Sequence, residues 1–577
     1  MSAARKARGA FYTPRELADY LVRWAVRSPR DRVLDPGCGD GVFLASACQR
    51  LQQLGSVPDG MQLQLWGVEL NPEAHSEAQQ TVRNCGGSAS VIHSDFFDVN
   101  PSSPDAPLRN DGVPAFNAVV GNPPYIRFHG FAGATREKGL TRARKLGVQI
   151  PGLASSWAPY LVHATSFLAP GGRLAMVLPA ELLTVDYALP VREFLLRRFQ
   201  RIYLVTFSAR VFPGVEEEVV LLLAETTGDA RGISVAEVQS AADLPDEPSL
   251  RRLRLCPPDA APAKWLNLLL PESVSALFSD LEQSGRLCPF KTFAEVNIGV
   301  VTGNKDYFVL SDQEVARHGL DDRWLVRCIS KASHIRGCAF THADYESLRR
   351  AEAKCRLLLI PREADVGPDP ALLRYIERGR AGGVHTGYKC AARKPWYTVP
   401  SAHIPDAFLT YMAGDHPRLA LNECCAYSTN TIHSVFFTSG REQLDHALVT
   451  TFHSSLSLLS VELCGRSYGG GVLKLETKEA ESILVPDLRK AAHDDLVKMA
   501  GMVSLLDRLI RGGRVEAARA QVDDIVGSVL GISQADAELC RNALAGLQAR
   551  RRTRSRGYCT PTQEQLGETL EPVRIAV

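Results

Sequence analysis

At 577 residues the chain exceeds what one compact core holds and implies roughly two to four domains. Its 66 Lys and Arg stand against 64 Asp and Glu, a formal charge of only +2, which excludes a uniformly basic protein and confines any basic surface to a patch. Fourteen cysteines with no C-x-x-C or C-x-x-H pair, two of them adjacent at Cys424 and Cys425, argue against a zinc knuckle and a regular disulfide framework and point to no metal site. The apolar runs Val219 to Ala224 and Leu266 to Leu270 are too short to span a bilayer, and no apolar stretch follows the charges at the N-terminus. The expectation is a soluble, cytoplasmic protein without a membrane partner.

In chain order, Phe11-Tyr12-Thr13-Pro14-Arg15-Glu16 reads as a helix start, with Thr13 as N-cap, Pro14 at the first helical position and Glu16 closing a capping box. The free N–H groups of such an end suit an anion such as a carboxylate. Arg32 to Leu34 form a short strand ending at Asp35, followed by the glycine loop Pro36-Gly37-Cys38-Gly39-Asp40-Gly41 and a helix over Val42 to Leu51. Gly37 and Gly39 let a ligand approach the backbone, and Asp35 or Asp40 can accept from a cationic amino group.

The strand Leu65 to Leu70 carries Glu69 near its end, where a carboxylate can hold ribose hydroxyls. A third strand, Ser90 to His93, runs into Ser94-Asp95-Phe96, which offers a carboxylate for an adenine amino group and a ring to pack on it; a helix cap is the alternative for Asp95. The strand Phe116 to Val120 then delivers Asn122-Pro123-Pro124-Tyr125, a helix is expected from about Ser155 to Leu168, and Pro170-Gly171-Gly172 breaks it before a strand over Arg173 to Leu178. A helix near Val191 to Phe199 and the strands Arg201 to Phe207 and Val219 to Ala224 complete a doubly wound, mainly parallel sheet with an antiparallel hairpin at its edge.

Asn122-Pro123-Pro124-Tyr125 follows directly on a strand, where ligands bind in open α/β sheets. Two prolines fix the chain and remove amide donors, so backbone carbonyls and the Asn122 side-chain oxygen can converge on one external amino group. The nitrogen lone pair is then less delocalised and attacks a methyl donor directly, with orientation and fixed dipoles as the protein's contribution. Tyr125 offers a ring for a base extruded from a duplex.

These motifs, in this order, resemble the gamma arrangement of adenine-specific (N6) DNA methyltransferases of the restriction-modification type. The resemblance implies a Rossmann-like class I fold and S-adenosyl-L-methionine as cofactor, held by Tyr12, Thr13, Asp35, Gly37, Gly39, Glu69, Asp95, Phe96 and Tyr160. Asn122, Pro123, Pro124 and Tyr125 would be catalytic, and Tyr125 with Phe212 would hold the flipped base. Tyr160, in Trp157-Ala158-Pro159-Tyr160, stands where Phe is more usual.

Ile298-Gly299-Val300-Val301-Thr302-Gly303-Asn304, Pro395-Trp396-Tyr397, Ser428-Thr429-Asn430-Thr431 and Tyr468-Gly469-Gly470-Gly471-Val472-Leu473-Lys474 look like signposts of the matching C-terminal specificity domain. Lys305, Lys331, Arg336, Arg466 and Lys474 are the candidate donors to phosphates and base edges. The expected organisation is a catalytic domain over 1–230, a linker over 231–288, a mixed α/β target-recognition domain over 289–486, and a helical region over 487–577 whose run Arg550, Arg551, Arg552, Arg554 and Arg556 forms a solvated basic tail.

The partners implied are double-stranded DNA and a cognate restriction enzyme or defence-system subunits. The same loop also suits a protein glutamine or ribosomal RNA, though such enzymes seldom need a large C-terminal half. A cytosine-carbon methyltransferase would need a nucleophilic cysteine, and Cys38 lies in the cofactor loop instead. Glu476-Thr477-Lys478 has the E-x-K look of a nuclease strand, a pattern common by chance, and no nuclease is expected in the few residues before Gly9. A silent nucleic-acid-binding module is the remaining class.

Overall fold

The parallel strands of the N-terminal half are apolar on both faces, so each can be buried between two helical layers. In the computed structural model, which describes residues 13–102, 113–209, 218–228, 230–400, 403–468 and 471–553, these strands form an eight-stranded sheet. Its elements are α1 (Arg15–Ala25), β1 (Val33–Asp35), α2 (Val42–Gln53), β2 (Leu65–Glu69), α3 (Pro72–Asn84), β3 (Ser90–His93), β4 (Phe116–Gly121), α4 (Gly133–Lys145), α5 (Trp157–Ala164), β5 (Leu168–Pro179), α6 (Glu181–Thr184), α7 (Leu189–Arg198), β6 (Arg201–Phe207), β7 (Val219–Glu225) and β8 (Gly232–Val238). The strand order is β3-β2-β1-β4-β5-β7-β6-β8, and it reverses between β1 and β4.

Successive residues of one strand serve opposite layers. Leu34 and Val119 pack into one apolar cluster with Phe116, Trp157 and Phe167, while Val33, Ala118 and Val120 pack into the other with Leu21, Phe43 and Leu221. Each such large side chain, fully buried, is worth roughly 1.5–3 kcal/mol, so the register β1 to β4, Val33 opposite Ala118 and Leu34 opposite Val119, is firmly specified.

Two expectations are corrected. The antiparallel strand is not at the edge: β7 lies between β5 and β6, antiparallel to both, and β8 closes the sheet parallel to β6. Every residue of β7 is buried, which only an interior strand explains. The segment 231–288 is also no linker. It supplies β8, a helix at Glu247–Arg252 and the buried Trp265, and only from Leu270 onward does it belong to the second compact unit. Its Pro, Asp and Ala lie in exposed turns between apolar anchors, and the composition conceals the anchors.

The second unit, Leu270 to Ser555, has a five-stranded sheet in the order Ala294–Ile298, Ile432–Phe437, Ala407–Thr410, Leu419–Asn422, Ala339–Phe340. A four-stranded sheet pairs Val309–Leu310, Arg356–Leu358, Leu325–Ile329 and Tyr427–Ser428. The helices at His493–Gly501 and Gln534–Thr553 pack on Glu442–Phe452 and Ser455–Cys464, so the terminal helices are part of this unit. Arg551 is not in a solvated tail: it is buried and ion-paired with Glu462 at 2.7 Å, and it also donates to the carbonyls of Gly414 and Asp415, both at 2.7 Å. Arg554 and Arg556 lie outside the described residues. Among the described residues no single helix is long and apolar enough to cross a membrane.

Candidate active site

The strand order reverses between β1 and β4, and the carboxyl ends of two neighbouring parallel strands therefore open a crevice flanked by diverging connections. Asp35 ends β1, Glu69 ends β2, Asp95 follows β3 and Asn122 follows β4. The sheet alone brings together four residues that the sequence spreads over nearly ninety positions, 122 minus 35.

Each carboxylate is aimed by backbone amides. Glu69 accepts from the N–H of Gly39 at 2.9 Å through one oxygen and from that of Asn71 at 2.7 Å through the other, tying the glycine loop to β2. Asp95 accepts from Phe97 N–H at 3.0 Å and caps the turn Phe96–Asp98, so the cap reading holds for one of its oxygens and leaves the other for a ligand. Asp35 is 1% exposed; one oxygen accepts from Gly37 N–H at 3.2 Å, and the other is buried without a hydrogen-bond partner among the described residues. Burial, with the charge of Glu69 adding to it, pushes the Asp35 carboxyl up to about 8.

Tyr160 of α5 joins this group. Its hydroxyl oxygen lies 2.5 Å from where a Cβ on Gly37 would stand, so any larger residue at 37 would collide with it. The Tyr160 hydroxyl is held well above its ordinary pKa, chiefly by burial and then by the charges of Asp35 and Glu69. Phe96 is buried with its ring 4.7 Å from that of Tyr160, 4.7 Å from His163 and 5.3 Å from Phe167. His163 donates from Nε2 to the Val99 carbonyl at 3.1 Å, and burial lowers its pKa to about 4, so it is a neutral part of the wall.

Thr13 is corrected. It caps no helix: α1 starts after Pro14 and has no side-chain cap, because the Thr13 hydroxyl instead accepts from Asn122 Nδ2 at 3.1 Å. That bond crosses 109 residues of sequence and turns the amide so that its oxygen points away from Thr13. Tyr12 and Phe212 lie outside the described residues.

Sequence reasoning missed Ser156. Its hydroxyl donates to the Pro124 carbonyl at 2.5 Å and accepts from Ile126 N–H at 2.9 Å, and its own N–H donates to the Ile126 carbonyl at 2.9 Å. The hydroxyl thus clamps the Asn122 to Tyr125 loop from the far side and occupies the carbonyl of the second proline. Next to it, Glu181 accepts from Trp157 Nε1 at 3.2 Å and from the Tyr187 hydroxyl at 2.5 Å, fixing the start of α5. A serine just ahead of a helix reads as an ordinary cap, and only the fold shows that it holds a loop 32 residues away.

The polar atoms fit S-adenosyl-L-methionine. The buried oxygen of Asp35, without a hydrogen-bond partner among the described residues, suits a cationic amino group, Glu69 a pair of vicinal hydroxyls, and Asp95 with the Tyr160 and Phe96 rings an adenine.

In the second unit the cations divide. Arg466 is ion-paired with Glu479 at 2.5 Å and Lys474 with Glu476 at 2.9 Å, while Lys305 donates to the Ser330 carbonyl at 2.9 Å; these three serve the fold. Lys331 and Arg336 are exposed. Glu476 is the N-cap of the helix Thr477–Glu481, in a capping box with Glu479, so the E-x-K segment starts a helix and is not on a strand.

Comparison with known proteins agrees with both halves. Residues 1–225 match the family model described as N-6 DNA Methylase, and residues 262–527 match that of the Type II methyltransferase M.Eco57I, C-terminal domain. The chain is 22% identical over 518 residues to the type II methyltransferase M.AccI of Acinetobacter calcoaceticus, covering 86% of this chain and 89% of that one. It is 26% identical over 492 residues to M.XamI of Xanthomonas campestris pv. amaranthicola, covering 83% and 85%. The fold is similar to that of the type IIL restriction-modification enzyme MmeI in complex with DNA, with a TM-score of 0.57 at 12% identity, covering 93% of this chain and 75% of that one.

Proposed function

We propose a division of labour among residues from the premise that this chain is a site-specific adenine-N6 DNA methyltransferase of the restriction-modification type, with an Eco57I-like C-terminal domain. S-adenosyl-L-methionine supplies an electrophilic methyl group on a sulfonium centre. Asp35, Glu69 and Asp95 hold it by charge-assisted and neutral hydrogen bonds, with Phe96 and Tyr160 as the apolar wall and Gly37 and Gly39 giving backbone access. Thr13 belongs to both sites, since it stands at the head of α1 and orients Asn122.

The target is the N6 amino group of an adenine turned out of the duplex. Its two hydrogens are donated to the Asn122 side-chain oxygen and the Pro123 carbonyl, because the Pro124 carbonyl is taken by Ser156. Drawing both hydrogens into hydrogen bonds localises the lone pair on nitrogen; as the N–C bond forms, the bond from the methyl to the sulfonium sulfur would break with its electron pair returning to sulfur, leaving a neutral thioether and a cationic amine whose extra proton passes to solvent. Tyr125, half-buried against both apolar layers, offers its ring to the base. The observation that supports this reading is the Thr13 to Asn122 bond, in which the amide nitrogen donates to the Thr13 hydroxyl and the side-chain oxygen is turned away from it.

Target choice we assign to residues 289–486. A cognate restriction enzyme or defence-system subunit we also propose as a partner. Methylome sequencing of a host expressing the wild type should show N6-methyladenine in one sequence context, and Asn122→Ala should lose a factor of ~10² to 10³ in methylation rate with cofactor affinity kept. Methylation confined to RNA or to a protein glutamine would overturn the reading.

A further inference from the structure

The second unit contains an open cleft of about 700 Å³ between the loop that follows the strand Arg356–Leu358 and the segment 392–400. Arg362, Arg393, Lys394 and Tyr427 line it, and among the described residues no Asp or Glu does. Three of the sequence segments singled out above meet here. Arg393 donates to the carbonyls of Thr302 at 2.7 Å and Val301 at 2.6 Å, which fixes the loop Ile298 to Asn304. Pro395-Trp396-Tyr397 lies between the lining residues Lys394 and Thr398, and Tyr427 leads directly into Ser428-Thr429-Asn430-Thr431.

The first and third of these segments are laced backbone to backbone. Val300 N–H donates to the Ser428 carbonyl at 2.7 Å and Asn430 N–H to the Val300 carbonyl at 3.1 Å. Gly299 is required for this approach, since a Cβ there would stand 2.3 Å from the Thr429 carbonyl oxygen. The cleft is therefore a built feature with a rigid floor.

The cations along it differ in role. Arg393 is committed to the loop. Arg362 and Lys394 are exposed, and among the described residues neither makes an ion pair or side-chain hydrogen bond. Like charges gathered in a cleft whose lining, among the described residues, holds no Asp or Glu repel one another, and an anion relieves that repulsion. A base edge needs donors held in fixed geometry, whereas a mobile ammonium on a flexible stem acts as a point charge and suits a phosphate.

We propose that this cleft seats the phosphodiester backbone of bound DNA, with Arg362 and Lys394 as the contacts and Arg393 as a positioning residue; this rests on the reading of the chain as a DNA methyltransferase. The contact is independent of base sequence and sets the register of the duplex on the recognition unit.

The test uses the full chain and measures binding of a target duplex and a scrambled duplex across a salt series. The double variant R362A/K394A should bind both duplexes about tenfold more weakly, with the slope of log affinity against log salt smaller in magnitude by about 1 to 2. S-adenosyl-L-methionine affinity and the melting temperature should be unchanged, because both side chains are exposed, and R362K/K394R should keep the wild-type slope. An unchanged slope and affinity in R362A/K394A overturn the proposal while leaving the methyltransferase reading intact. A loss confined to the target duplex also overturns it, in favour of base readout. A wild type that binds neither duplex overturns both readings.

Discussion

The two units use charge in opposite ways. In the first, the carboxylates at the strand ends are held by nearby backbone amides, Glu69 by Gly39 and Asn71, Asp95 by Phe97, Asp35 by Gly37, and each keeps an oxygen or a lone pair for a ligand. In the second, several of the conspicuous cations are taken up by side-chain carboxylates: Arg551 by Glu462, Arg466 by Glu479 and Lys474 by Glu476. A backbone amide orients a side chain without neutralising it, whereas a carboxylate does both. A carboxylate held only by backbone amides keeps its charge for a ligand, whereas a cation paired with a carboxylate does not.

The largest effect that should separate the two uses is at Arg551. Arg551→Ala leaves Glu462 as an uncompensated buried charge, both side chains being 4% exposed, and should cost about 3–5 kcal/mol of stability in the second unit. Thermal melting would read this as a marked downward shift, with the cofactor sites of the first unit untouched. A variant that melts like the wild type while losing DNA affinity would instead place Arg551 on the DNA surface.

In the first unit the corresponding substitutions should act on ligand affinity and spare the fold. Glu69→Ala and Asp95→Ala should each weaken S-adenosyl-L-methionine binding by roughly 1–3 kcal/mol in a calorimetric titration. Unchanged affinity would assign both carboxylates to loop geometry alone.

Ser156→Ala should be smaller and of another kind. Losing the bonds to Pro124 and Ile126 should lower kcat by roughly tenfold, the equivalent of about 1–1.5 kcal/mol, with cofactor affinity and KM for DNA nearly unchanged. Ser156→Thr, which keeps the hydroxyl, should recover most of the rate. A rise in KM at constant kcat would mean that Ser156 shapes binding and does not hold the catalytic loop.

The smallest effect concerns protons. Burial raises the Asp35 carboxyl to about 8 from 3.8, so the folded protein keeps a proton that the unfolded chain gives up. The stability contributed by this group is full below its unfolded value and is lost as pH rises through about 8. A cationic amino group favours the carboxylate, so cofactor binding near neutrality should release a proton and tighten as pH approaches 8. Binding enthalpies at one pH in buffers of different ionisation heat would show the release. Equal heats in every buffer, or a Asp35→Asn variant with the wild-type pH profile, would remove Asp35 from the ammonium site.

The sequence by itself determined what local covalent rules determine. The glycine loop after β1, the carboxylates at strand ends and the rigid Asn122 to Tyr125 loop are legible because a strand, a turn and a Pro-Pro pair are specified within a few residues, and their order along the chain is visible without a fold. Only the tertiary structure decided the rest. Thr13 looks like a cap and instead meets Asn122 across 109 residues, Ser156 looks like another cap and holds Pro124, and Arg551 looks like a tail and is a buried ion-pair partner. The segment 231–288 looks like a linker, and β8 and Trp265 anchor it to the sheet. In each case the local pattern is compatible with two environments, and the choice between them is made by packing between segments far apart in the chain, where a polar group must find a partner as its side chain leaves water.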